Sequence, residues 1–337
     1  LKCMQSFEYY SGSLGGAYVL KLNAPVEKLQ LSGLERFIVS GPLRQTAFLL
    51  SKLVQQRLSI NNLEGAEGSR LQMQMRIDVR SLSWAEIITR FATNFAPNDV
   101  QFYTDSIGLQ LIKRNEFETD WRPEMNYYPM PTALVLDDGS KRLSVLSNFS
   151  PDRRLKYDDG KGLGSDIPVD NLPVNMAFTF VLEEIVPEES EKLRKEICLQ
   201  RQFAYNTLAA HQALRSLIYQ PQVFIADGIL EELPTQKVPS FPCDVQLLSV
   251  RPLAHVDSVR LMVVHRAGID CRSLNAPTCI ATEFDNAIKK YLRSIGASKI
   301  QKTLLNGVQK IGKEIDYYQE KFSLKPMDFA AYLVRFS

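Results

Sequence analysis

The chain has 337 residues, enough for two modest domains or one large β unit. Hydrophobic residues make up 45% and charged residues 23%, and 40 basic against 38 acidic side chains leave a net charge of +2. This ordinary globular balance gives no electrostatic case for nucleic acid or an acidic membrane as partner, and no apolar run approaches the roughly 20 residues that span a bilayer.

Alternation dominates the first two thirds of the chain. Strands are expected at Ala17–Leu22, Arg36–Val39 and Leu53–Ile60. After the polar, glycine-containing stretch Asn61–Ser69, Leu71, Met73, Met75, Ile77 and Val79 alternate with Gln72, Gln74, Arg76, Asp78 and Arg80. Successive strand side chains point to opposite faces, so this is a half-buried strand closing a hairpin with Leu53–Ile60. Further strands are expected at Glu86–Thr93, Leu109–Arg114, Thr132–Leu136, Leu143–Leu146 and Asn175–Leu182. Pro187–Tyr219 carries Glu, Lys, Leu and Ala at helical spacing, with Pro187 near its start and Pro221 beyond its end, and reads as one or two connecting helices. Asp244–Arg251 and Ser258–His265 read as strands. Phe284–Ile295 places Phe284, Ile288, Tyr291, Leu292 and Ile295 on one helical face, and Phe329–Phe336 closes the chain as a strand. Many short strands separated by turn residues predict a mainly β fold of sandwich type.

The chemistry-bearing residues are sparse. The three histidines, His211, His255 and His265, have no partner at metal-ligand spacing, and no GxSxG elbow, P-loop or HExxH occurs. Five cysteines form no CxxC pair. Cys271 and Cys279 lie close enough in sequence to close a short loop, or remain two thiols. Asn148-Phe149-Ser150 is the one N-glycosylation sequon, followed by Pro151, and with the cysteines it permits an oxidising lumen. No signal peptide is present and the first residue is Leu1, so the chain reads as a piece of something longer or a processed product. One local constellation stands out: Asp158-Asp159 beside Gly160-Lys161-Gly162-Leu163-Gly164. Its glycines allow a tight turn; composition by itself favours an ordered surface turn, while the acids and lysine can also hydrogen-bond sugar hydroxyls.

Several stretches resemble, in order, the carboxy-terminal half of glycoside hydrolase family 38, the Golgi α-mannosidase II group. They are Gly16-Ala17-Tyr18, Phe102–Asp105 with Gly108-Leu109-Gln110 and Lys113-Arg114, and Asn126–Thr132. Arg142-Leu143 with Asp152–Leu155 and Asp158–Gly164 follows, then Asp170-Asn171 with Pro173. The set ends with Pro242–Val245, His265–Cys271 and Pro326–Asp328.

The resemblance implies a galactose-mutarotase-like β-supersandwich followed by a smaller β-sandwich domain, with short helical insertions. We expect a large domain over 1–225, ending in the helical connector 187–219, and a smaller one over 226–337. It also implies that zinc, its ligands and the nucleophile belong to an amino-terminal barrel followed by a helical bundle, leaving no cofactor and no catalytic residue in this chain. The substrate would be a mannose-containing N-glycan, acted on by the complete enzyme in the Golgi lumen. Tyr18, Asp159 and Lys161 are the candidates for bordering the sugar pocket, with Lys161 standing where the family has arginine. The stretch Ser144–Pro151 is shorter than the family's and is expected to expose a sheet edge unless the sheet closes differently. A free-standing carbohydrate- or protein-binding module is the alternative to a non-catalytic half of the enzyme.

Overall fold

The computed structural model describes residues 2–11, 22, 25–82, 85–95, 101–118, 123–148, 173–186, 203–220, 222–223, 225, 228, 239–253, 256–274 and 283–336. The chain divides into two compact units, Leu1–Gln220 with Cys271–Ala276, and Pro221–Asp270 with Pro277–Ser337.

The strands of the first unit are β1 (Cys3–Ser11), β2 (Glu27–Lys28), β3 (Glu35–Ser40), β4 (Arg44–Leu50), β5 (Val54–Asn61), β6 (Arg70–Ile77), β7 (Ala85–Thr93), β8 (Gln101–Asp105), β9 (Leu111–Arg114), β10 (Ala133–Asp137), β11 (Lys141–Ser147), β12 (Val174–Glu184) and β13 (Phe203–Ala204). Ten of them form one antiparallel sheet in the order β13-β9-β8-β10-β11-β12-β6-β5-β4-β3; β2-β1-β7 form a second sheet. The expected hairpin is β5–β6, with Val54 opposite Ile77 and Leu58 opposite Met73.

Period-two alternation then sorts the faces. On one face, Val54, Met75 and Ile77 pack with Phe7 of β1, and Met73, Leu143 and Phe180 pack with Phe91 of β7. The Phe91 and Phe180 rings meet edge to face at 5.2 Å. Gln5 and Gln56 exchange two amide hydrogen bonds, at 2.9 and 2.8 Å, so the polar pair between the sheets is satisfied.

The opposite face is covered over β8–β12 by helix α1 (Leu208–Ile218). Three alanines, Ala209, Ala210 and Ala213, let the helix lie close to Ala133, Val135 and Val181, with Leu214 and Leu217 filling the sides. Each buried leucine contributes about 1.5–3 kcal/mol. Thr207 caps the helix, its Oγ1 accepting the Ala210 N–H at 3.2 Å.

In the second unit β14 (Val245–Leu253), β15 (Val256–Arg266), β16 (Ala297–Thr303), β17 (Lys310–Asp316) and β18 (Phe329–Phe336) form a sheet in the order β14-β15-β18-β16-β17. Helix α2 (Phe284–Ser294) lays Ile288, Tyr291 and Leu292 on Met262, Val264, Tyr332 and Val334, as its helical spacing predicts.

Three expectations need correction or limits. The described part of the 187–219 connector is not all helix: Phe203–Ala204 is a short strand paired to β9, and the helix begins at Leu208. The short lead-in after Arg142 leaves no open edge there, because β11 is hydrogen-bonded to β10 on one side and β12 on the other. Of the expected strand Ala17–Leu22, only Leu22 is described, and it is not in a strand.

Candidate functional site

Tyr18, Asp159 and Lys161 lie outside the described residues, as do Cys279 and His255. Asn148 is exposed at the end of β11, its Oδ1 accepting the Ala177 N–H at 3.1 Å. The disulfide expectation is corrected: Cys271 is an exposed thiol, and Cys243 is the described cysteine that is disulfide-bonded. Sequence proximity to Cys279 did not decide the pairing, because a bridge needs both side chains aimed at each other across about 4 Å.

The described residues do not fit a zinc ion. Among them no three His, Cys, Asp or Glu side chains converge. His211 sits on α1. His265 is 3% exposed and stacks on Phe329 with ring centroids 4.4 Å apart. Burial pushes its imidazole below the ordinary value of 6.5.

Several of the sequence motifs come together as structural knots. Asp105 of Phe102–Asp105 accepts hydrogen bonds from Gly108 N–H at 2.7 Å, Thr132 N–H at 2.9 Å, Thr132 Oγ1 at 2.9 Å and Ala133 N–H at 2.8 Å. One buried carboxylate thus ties the Gly108 turn, whose φ of 76° suits glycine, to the end of Asn126–Thr132. Arg114 stacks over the Tyr128 ring at 5.0 Å, joining the same motifs. In the second unit Arg266 bonds Asp244 at 2.7 Å and the Leu324 carbonyl at 2.9 Å, while its own carbonyl accepts the Met327 N–H at 2.7 Å. Three motifs far apart in sequence meet at Arg266, one through its guanidinium and one through its backbone.

A buried ionic row lies on the α1 side of the large sheet. Asp137 pairs with Arg142 across β10–β11, and Arg142 with Glu183 across β11–β12. Arg142, 1% exposed, donates from Nη2 to the Tyr205 carbonyl at 2.5 Å. Arg272 reaches Asp137 at 2.8 Å. Glu183 accepts from Thr207 Oγ1 at 2.5 Å and from Ser273 Oγ at 2.6 Å, so one carboxylate holds both the helix cap and the segment 271–274. Backbone bonds from Val186 to Arg272 and from Leu274 to Glu184 complete that attachment. Sequence reading missed this set; apart from Arg142, noted only within a motif, none of its members carries a local signal.

The concave candidate is on the other half of the same face. A groove of 520 Å³ runs across β4, β5, β6 and β12, lined by Phe48, Gln55, Arg57, Gln74, Arg76 and Asn175 among others. Asn148 and Gln220, just beyond the end of α1, also line it. At the far edge, β3 is exposed along its whole length, with Ile38 72% and, in the following turn, Leu43 70% exposed.

Residues 1–150 match the family model of the glycosyl hydrolases family 38 C-terminal domain. Among curated relatives, "Alpha-mannosidase 2" of Drosophila melanogaster is 30% identical over 234 residues, 64% of this chain and 19% of the relative. "Alpha-mannosidase 2" of Homo sapiens is 25% identical over 317 residues, 84% of this chain and 26% of the relative. "Alpha-mannosidase 2x" of Mus musculus is 24% identical over 325 residues, 88% of this chain and 27% of the relative. The crystal structure of an alpha-mannosidase from Enterococcus faecalis V583 superimposes with a TM-score of 0.56 at 10% identity, over 98% of this chain and 38% of that one, a likeness of fold.

Proposed function

From the match of residues 1–150 to the family 38 C-terminal domain and the likeness of most of the chain to α-mannosidases, we propose that it is the carboxy-terminal β-rich half of such an enzyme, acting as the non-catalytic partner of an amino-terminal catalytic barrel and bordering that barrel's mannose pocket. The observation that carries this reading is the coverage: most of this chain aligns, yet it spans only 26% of the human relative. The β3 edge, unpaired on its outer side among the described residues, supports it, because exposed Ile38, Val39 and Leu43 leave apolar surface of the kind that further protein covers. Tyr18, Asp159 and Lys161 remain the residues assigned to the pocket border, and the domains are taken as 1–225 and 226–337. Zinc belongs to the barrel, the substrate is a mannose-containing N-glycan, and the compartment is the Golgi lumen. The disulfide at Cys243 agrees with an oxidising setting.

The test is the upstream coding sequence. The expected result is a barrel with a His/Asp zinc set, hydrolysis of p-nitrophenyl α-mannoside by the full product, and no hydrolysis by this chain alone. A complete transcript beginning near Leu1, or turnover by the isolated chain, overturns the proposal.

A further inference from the structure

The open groove has a regular construction. Strand register sets its side chains in two rows across the sheet: Leu50, Gln55, Arg76 and Asn175 in one, Phe48, Arg57, Gln74 and Ala177 in the next. Arg57 Nη2 donates to Gln74 Oε1 at 2.6 Å, which orients the Gln74 amide beside a guanidinium with further N–H groups to give. Gln55, Arg76 and Asn175 are exposed, and their side chains make no hydrogen bond among the described residues. Phe48, continuing the second row, stacks on Phe37 with centroids 4.8 Å apart, adding a flat apolar surface at one end. The volume, 520 Å³, falls in the range of about 300–1,000 Å³ usual for small-ligand sites.

We propose that this face binds a neutral oligosaccharide through Gln55, Arg76 and Asn175. Each sugar hydroxyl both donates and accepts, and each amide offers a donor and an acceptor from one planar end, while the guanidinium adds paired donors. An apolar helix laid here would bury these polar groups without partners, at about 1–3 kcal/mol apiece. Among the described residues no carboxylate lines the groove, and the nearby Asp78 is held by Arg80, which argues against a metal ion. Two arginines in a chain of net charge +2 are too few for a polyanion. The groove is lined by residues other than those assigned to the pocket border above, and the proposal stands whether or not a barrel accompanies this chain.

Calorimetric titration of the purified chain with α1,3/α1,6-mannotriose tests the proposal, with maltotriose and a sulfated disaccharide as comparison probes. Binding to mannotriose is expected with a Kd of about 1 mM or tighter. Arg76→Ala and Gln55→Ala are each expected to weaken it by about fivefold, the loss of one such hydrogen bond. Both side chains are exposed, so the thermal midpoint should stay at the parent value and show that the variants fold. No heat with mannotriose or maltotriose at about ten times that concentration overturns the proposal. Binding confined to the sulfated probe, or affinity unchanged in both variants, does the same. A failed titration leaves the barrel-partner reading intact, and absence of a barrel leaves the titration result intact.

Discussion

Arg142 and Arg76 lie on the same face of one sheet, each in a cross-strand row that ends on β12, yet their surroundings are opposite. Arg142 is buried between Asp137 and Glu183, roofed by α1 and the 271–274 segment. Arg76 is flanked by Gln55 and Asn175 and open to solvent. The difference is what covers the sheet. Where α1 lies, a charge must have carboxylates and carbonyls around it, because an unpaired buried ion costs several kcal/mol. Where no described segment lies, the guanidinium is exposed, keeps its hydration and stays available to a ligand. A rule about arginine in strands predicts neither outcome; the neighbouring layer does.

Four measurements break or sharpen this contrast. Arg142→Ala should cost about 3–5 kcal/mol in chemical denaturation, since it orphans the Tyr205 carbonyl and removes the cation between Asp137 and Glu183. A cost near zero would mean that the covered row is not held by charge. Thr207→Ala should cost about 1–2 kcal/mol, because the hydroxyl caps α1 and also donates to Glu183. Its effect should shrink when Glu183 is already Gln, as expected of neighbours sharing one carboxylate.

The third extends the comparison to a buried cation-former in the other unit. Burial holds the folded-state pKa of His265 below 6.5, so above that value both folded and unfolded states carry neutral imidazole and stability is flat. As pH falls below 6.5 the unfolded state takes up the proton first, and stability declines toward the folded pKa. Unfolding midpoints between about pH 7 and pH 5 should therefore fall less steeply in His265→Gln than in the parent. Equal slopes would show that His265 takes up its proton as readily in the folded state as in the unfolded one. The smallest effect belongs to Arg76→Ala, within about 0.5 kcal/mol of the parent, as for other exposed sites. A larger loss would mean that the groove side is tied down by contacts the bare face does not show.

The legible parts of the fold are those with strong local periodicity. Met73, Met75 and Ile77 are buried on one side of β6, with Gln74 and Arg76 exposed on the other. The Ile288–Leu292 stripe packs as a helix face. Strands β1, β4, β8, β16 and β17 were not anticipated. β17, Lys-Ile-Gly-Lys-Glu-Ile-Asp, is polar and exposed, and takes its conformation from pairing with β16 at a sheet edge. Local propensity does not report a partner that arrives from elsewhere in the chain.

The motifs divide in the same way. Their order along the chain marked the family, and the residues Asp105, Thr132, Asp244 and Arg266 prove to be joints of the scaffold. From sequence alone came the mainly β class, the resemblance to the family and the small number of histidines, since alternation, motif order and residue counts are properties of a linear string. The tertiary structure alone decided that Ser273 would meet Glu183 and Thr207, that Cys271 would keep its thiol, and that half of one sheet face would be roofed while Gln55, Arg76 and Asn175 stayed open. Those outcomes depend on which distant segment packs onto a given strand, and burial, charge pairing and access to ligand follow from that packing.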